Sequence, residues 1–269
     1  MNAIEKQLLS EKKNYQYITW IFVIVFVLFI WSLSAIQLNN MGTSGLTIAK
    51  NIITGILHPD LDLLFNITEK GVAYLLIETM AIAFLGTIIG AILAIPLAFL
   101  SASNVVPKPL AFVTKILLIG IRTIPAIIYG LMFIRVTGPG PFAGVLTMSL
   151  ISIGMLSKLY ADVIEDLDTS VLESMTSIGC TMFEKIRYGI IPQLLAMFLS
   201  IVIYRFDMNL RDASVLGLVG AGGIGAPLIF AMRSYRWEEV GSILIGLVLL
   251  ILIVEFISNK IRNKLVRGY

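Results

Sequence analysis

The chain has 269 residues, 58% of them hydrophobic and only 14% charged, with a formal net charge of +3. A soluble domain is about 45–50% apolar and about 25% charged, so a single globular core cannot absorb this much apolar surface. One cysteine, Cys180, and one histidine, His58, exclude an internal disulfide and leave no Cys/His set for a metal site.

The apolar residues fall in long continuous blocks. A hydrocarbon layer about 30 Å thick takes about 20 such residues as a helix, and backbone groups in lipid must pair within the segment or around a closed barrel. Alternating strands are absent from the pattern, which excludes a barrel. The expected fold class is therefore all-α, a polytopic membrane protein of about six transmembrane helices.

In chain order, residues 1–17 form a tail with Lys6, Lys12 and Lys13, and residues 18–36 a first span. That run exceeds the roughly 7–15 residues of a signal-peptide core and lacks a small-x-small cleavage site, so it reads as a retained helix. Residues 37–71 form a polar loop containing Asn39, Asn40, His58, Asp60 and Asp62, with a short interfacial helix expected near Gly45–Leu57. A core from 72 to 257 follows, with spans near 72–100, 112–134, 142–160, 191–216 and 238–257. Pro96 is expected to kink the first of these near its end. Residues 258–269 make a basic tail.

Lys and Arg in short loops set the orientation. With the N-terminus inside, the inner segments carry Lys6, Lys12, Lys13, Lys108, Lys158, Lys185, Arg187, Lys260, Arg262, Lys264 and Arg267. The outer segments carry only Lys50, Lys70, Arg135, Arg233 and Arg236. Both termini are thus expected in the cytoplasm, with the basic tail drawn to anionic lipid. No internal repeat supports an inverted-repeat carrier.

The inner segment 161–191 is patterned as a helical hairpin. Ser170 and Glu173 fit a capping box, Leu172, Met175 and Ile178 follow at helical spacing, and Gly179 suits a left-handed helix end. Thr181 and Glu184 fit a second box, leading to Phe183, Ile186 and Ile190, with Pro192 at the mouth of the next span. Two readings stand: surface helices on the membrane, or a docking element for a groove on a partner protein.

Glu173-Ser174-Met175, Gly179 and Pro192 resemble the cytoplasmic EAA loop of ABC importer permeases, whose pattern is Glu-Ala-Ala, three residues, Gly, nine residues, Ile-x-Leu-Pro. Ser174 and Met175 replace the two alanines, and Gly189 stands where the pattern has Ile. In that family the loop enters a cleft of the ATPase subunit and transmits its motion.

The run Gly220-Ala221-Gly222-Gly223-Ile224-Gly225 contains G-x-G-x-x-G, but a dinucleotide site needs a preceding strand and an acidic residue about 20 positions on. Pro227 follows at once, and the later position lies in an apolar span. Glycines here read as close helix approach or an irregular turn. No Gly-x-x-x-x-Gly-Lys-[Ser/Thr] occurs anywhere in the chain.

The longer stretch Tyr204–Gly225, with Arg205, Asn209-Leu210-Arg211, Leu216-Gly217-Leu218-Val219 and the glycine run, is similar to the signature of phosphonate ABC transporter permeases. Leu76-Ile77-Glu78-Thr79 through Pro96-Leu97-Ala98-Phe99 and Arg122-Thr123-Ile124-Pro125 resemble two further helices of that family. The resemblance covers roughly residues 70–258. It implies a methionine-importer-type ABC permease fold in a bacterial cell membrane. It also implies a second permease chain, two ATPase subunits holding the ATP and Mg, and an extracytoplasmic solute-binding protein. The chain itself then catalyses nothing covalent, carries no cofactor and meets no nucleic acid.

Ionisable groups within the spans are Glu78, Arg122, Arg205, Asp207, Arg211 and Asp212. Each costs at least about 2.5–3.5 kcal/mol at the bilayer centre unless it faces protein or water. Asp207 and Arg211 are four apart and should pair, while Arg205, Asn209 and Asp212 share an adjacent face. One reading is interhelical glue. The other is a translocation path of Arg122, Arg205, Asn209, Arg211 and Asp212, in which a forked guanidinium suits an oxyanion. Gly217, Gly220, Gly222, Gly223 and Gly225 make a structural turn. An importer for another small solute, an ion-coupled carrier or a channel are the alternatives. The capped hairpin counts against the last two, and an enzyme lacks a clustered acid/base set.

Overall fold

The structure, a computed structural model, describes residues 15–35, 43–68, 71–167 and 169–267. Lys6, Lys12, Lys13, Lys70 and most of the N-terminal tail lie outside the described residues. The chain divides into residues 1–50 and residues 51–269.

In the first unit, α1 (Tyr15–Ala35) carries an apolar stretch of 19 residues, Gln16–Ser34. At 1.5 Å per residue it reaches about 28 Å, enough for the hydrocarbon layer. The boundary between the units falls inside α2 (Thr43–Leu57), the helix expected near Gly45–Leu57.

In the second unit, the last residues of α2 are followed by α3 (Leu61–Phe65), whose Asp60 cap accepts the Leu63 amide at 3.1 Å. Then come α4 (Val72–Ser101), α5 (Lys108–Thr123), α6 (Ala126–Thr137) and α7 (Pro141–Glu165). The remainder is α8 (Thr169–Ser177), α9 (Met182–Glu184), α10 (Ile191–Gly217), α11 (Gly225–Arg233) and α12 (Trp237–Arg267). A π-helical turn, Lys185–Ile190, joins α9 to α10 without a break. No strand occurs among the described residues.

Among the described residues, five helices are long and apolar enough to cross a membrane, and six spans result if the bent pair α5–α6 counts as one. The span expected near 112–134 is a pair of helices that meet at 83°. Pro125 is the cause. It forces Ile124 into an extended conformation (φ −84°, ψ 125°), and Pro125 becomes the cap of α6. Pro96 lies inside α4, which runs on to Ser101 as one helix.

The centre of the unit is the pair α4 and α7. A Cβ on Gly86 would overlap Met148, and one on Gly90 would overlap Ser152, so the two backbones approach through small residues. The contacts advance together along both helices (Ile82 by Gly144, Gly86 by Met148, Gly90 by Ser152), so the helices run parallel. The bent pair between them must therefore return across the layer once. The helix α10 runs against both, with Asn209 beside Thr87 and Tyr160 against Phe198, ring centroids 4.4 Å apart. Buried Ala94, Ala98, Leu156, Ile164, Ile190 and Leu194 fill the core near residues 161–191. Ile82, Met148, Leu210, Leu216 and Val254 fill the middle.

Candidate functional site

The hairpin between α7 and α10 is built much as its spacing predicts. Gly179 takes φ +84° and donates its amide to Thr176 O at 2.9 Å, while Cys180 N donates to Met175 O at 3.0 Å. Those two bonds make a Schellman end, in which a left-handed glycine closes the last turn. Thr181 then caps α9: the Glu184 carboxylate accepts from the Thr181 amide at 2.7 Å, and Thr181 Oγ1 accepts from the Glu184 amide at 3.4 Å.

The first capping box is corrected. The helix starts at Thr169, so Ser170 lies inside it rather than at its cap, and its carbonyl accepts the Ser174 hydroxyl at 2.8 Å. Glu173 is therefore left exposed. Among the described residues its carboxylate has no bonding partner.

Pro192 does not separate the hairpin from the span. It sits in the first turn of α10, where a missing N–H is tolerated. The π turn supplies the offset, with Ile191 N donating to Ile186 O, and Gln193 Nε2 donates to Gly189 O at 2.9 Å. Gly189 is buried under Met175, whose Sδ lies 2.5 Å from where a Cβ would stand. Two of the departures from the EAA pattern thus face each other: Met175 replaces the second alanine, and Gly189 replaces the isoleucine.

The candidate path residues fall into three groups. Arg205, 2% exposed, donates Nε to Ser152 Oγ at 3.4 Å and Nη1 to Met155 Sδ at 3.0 Å, and lies 3.7 Å from Asp212. Buried Asn209 donates to Thr87 Oγ1 and Ser152 Oγ, both at 2.7 Å. This set ties α4, α7 and α10 together. Arg211 stands apart, bridging Asp207 at 3.1 Å on its own helix and Glu255 at 3.0 Å on α12. Sequence reasoning overlooked Glu255; its signal was an acid two residues from the end of the last apolar run. Arg122 lies in a third place, exposed in the last turn of α5 and without a bonding partner among the described residues.

The glycine-rich stretch is preceded by a helix rather than a strand. Gly217 ends α10, Gly225 opens α11, and Gly220, Gly222 and Gly223 have φ of 96°, 83° and 73°. The turn is pinned by α4 and the start of α7. Glu78 Oε1 accepts the Gly223 amide at 3.0 Å, Thr79 Oγ1 accepts the Ile224 amide at 2.9 Å, and Gly140 N donates to Gly220 O at 2.9 Å. The helix α11 and the role of Glu78 were not legible from the apolar pattern.

Comparison with known proteins agrees with this architecture. A family described as binding-protein-dependent transport system inner membrane component matches residues 94–268. The phosphite transport system permease protein PtxC of Stutzerimonas stutzeri is 35% identical over 189 residues, 70% of this chain and 69% of that protein. The phosphate-import permease protein PhnE of Mycolicibacterium smegmatis is 36% identical over 193 residues, 71% of this chain but only 36% of that longer protein. Among solved structures, a chain of the inward-facing MetNI methionine ABC transporter superposes with a TM-score of 0.62 at 19% identity. The match covers 72% of this chain and 95% of that one, and it shows the shared fold. With five to six apolar spans among the described residues, this permease fold and that match over residues 94–268, the chain belongs to the family of binding-protein-dependent transport system inner membrane components.

Proposed function

We propose that this chain is the pore subunit of an ATP-driven importer for a phosphorus oxyanion such as phosphite, phosphonate or phosphate. Two such chains, identical or similar, pair in a bacterial cell membrane with both termini in the cytoplasm. Separate ATPase subunits hold ATP and Mg and grip the segment 161–191. An extracytoplasmic binding protein delivers the solute. The substrate class rests on the 35% identity to a phosphite permease and the 36% identity to a phosphate-import permease.

The observation that carries the coupling part is the hairpin itself. It has a Schellman-closed turn at Gly179, a capped restart at Thr181, and exposed Ile178, Phe183 and Glu173. A rigid projecting element of this kind suits a groove on a partner. Closure of the ATPases moves the hairpin, the spans tilt, and the pore opens toward the binding protein; hydrolysis resets it. In this reading Arg122 and Arg205 ease the anion through, since a guanidinium fork meets an oxyanion with two parallel bonds.

The test is reconstitution of the chain with its ATPase in proteoliposomes and supply of a loaded binding protein. ATP-dependent uptake of phosphite or methylphosphonate is expected, with none from the chain alone. Solute accumulation by the chain alone overturns the reading. Arg122→Gln and Arg205→Gln are each expected to slow uptake at normal expression, and normal uptake by both removes them from the path.

A further inference from the structure

We propose that the cavity between α5 and the C-terminal halves of α4 and α7 is a binding site for a phosphoryl or phosphonyl group. The cavity measures about 180 Å³ and is lined by Ser101, Lys115, Arg122, Lys158 and Asp162 among others. At roughly 30 Å³ per water in the liquid, it has room for a tetrahedral anion with some of its hydration.

Three cations line this space against a single carboxylate, and the acids are already taken. Lys158 Nζ is 3.0 Å from Asp162, and Lys115 Nζ is 2.9 Å from Glu165, which also accepts the Ser103 amide at 2.7 Å. Arg122 has no acceptor for any of its donors among the described residues. Its position is not incidental. Its stem crosses Gly154 of α7, where a Cβ would lie 3.0 Å from Arg122 Cγ. The residue one turn further along α7 on the same face is Lys158. The bare glycine thus seats the guanidinium stem beside the ammonium group, in a helix pair whose other neighbours are apolar Leu118 and Ile119.

With both lysines salt-bridged, Arg122 is the cation left uncompensated beside this partly enclosed space, and a planar guanidinium flanked by two ammonium groups offers donors to the several oxygens of a phosphoryl group. Two sources share this chemistry. One is the headgroup of an anionic phospholipid, which basic pockets between transmembrane helices hold at the cytoplasmic side. The other is the solute in transit, and only that source rests on the importer reading above.

The experiment uses the full chain. In one arm, native mass spectrometry of the detergent-solubilised protein follows retention of phosphatidylglycerol against phosphatidylcholine. In the other, the protein in phosphatidylcholine nanodiscs is titrated with radiolabelled inorganic phosphate and competed with methylphosphonate. The variant is Arg122→Gln with Lys158→Gln, both exposed positions. The control is Arg262→Gln with Lys264→Gln, an equal charge loss on α12. The variant is expected to lose about thirtyfold in affinity, as two basic groups near an anionic headgroup contribute, while the control matches the native chain. Loss confined to phosphatidylglycerol assigns the site to lipid, and loss confined to phosphate assigns it to solute; either supports the site. The proposal is overturned if the native chain retains neither probe, if the variant binds as the native chain does, or if the control loses as much. Absence of uptake in proteoliposomes bears on the importer reading and leaves these binding results unchanged.

Discussion

Glu78 accepts the amide hydrogen of Gly223 at 3.0 Å, across 145 residues of sequence, and Thr79 does the same for Ile224. Two adjacent side chains of α4 therefore hold the turn between α10 and α11. Both glycines beside that contact have positive φ, and a Cβ on Gly223 would stand 2.5 Å from Thr79 Oγ1. The turn and the helix face are shaped to each other.

Thr79→Val keeps the volume of the side chain and removes the acceptor. Ile224 is fully buried, so its amide is left without a partner. The expected loss is about 1–3 kcal/mol, read as a lowered denaturation midpoint of the purified protein. Glu78→Gln, which retains an acceptor oxygen, should lie much closer to the native value than Glu78→Ala.

Asn209→Leu removes both donors that join α10 to Thr87 and Ser152. Interhelical hydrogen bonds in membranes average about 0.6 kcal/mol each, so a loss of about 1–2 kcal/mol is expected. Chemical denaturation of the solubilised chain, alongside Thr87→Val and Ser152→Ala, checks whether the three substitutions are non-additive, as members of one cluster must be.

Met175 and Gly189 should behave as a compensating pair. Gly189→Ile alone drives a branched side chain into Met175, an overpacking cost of about 1–3 kcal/mol. Adding Met175→Ala is expected to recover most of it, since that restores the small-over-large arrangement of the EAA pattern. A double-mutant cycle on stability gives the coupling, and strict additivity would falsify the pairing.

Gly179→Val tests the hairpin. Nothing lies within 4 Å of a Cβ at this position, so the penalty is backbone strain, about 1–2 kcal/mol for an L-residue in the left-handed region. The expected phenotype is ATP hydrolysis that continues while uptake falls. Gly179→Asn, which tolerates positive φ better, should retain more coupling. Full coupling in Gly179→Val removes the turn from the mechanism.

Composition made the helical membrane class legible, and spacing made the ends of the hairpin legible, because Gly179 and Thr181 act through local backbone chemistry. The EAA-like and glycine-rich segments identified the family for the same reason: their residues are contiguous. What the chain kept hidden is non-local. The 83° break at Pro125 follows from a rule about the residue before proline, but the apolar run on both sides masked it. Spacing put Arg205, Asn209 and Asp212 on one face but could not supply their partners Thr87, Ser152 and Met155 on other helices, and Glu255 was lost in an apolar block, its partner Arg211 lying 44 residues earlier. Glu78 gave no sign of its role, since its acceptor function depends on a turn folded far along the sequence.

The helical run Met182–Gly217 joins the hairpin directly to the glycine-rich turn, with 36 residues and no break. At 1.5 Å per residue it is a strut of about 54 Å, longer than the hydrocarbon layer is thick. A thrust applied at Thr181 therefore reaches Gly217 along hydrogen-bonded backbone, without passing through any side-chain contact. The one departure from α-helical winding along this pushrod is the wide turn at Lys185–Ile190, which begins three residues after Met182 at its near end.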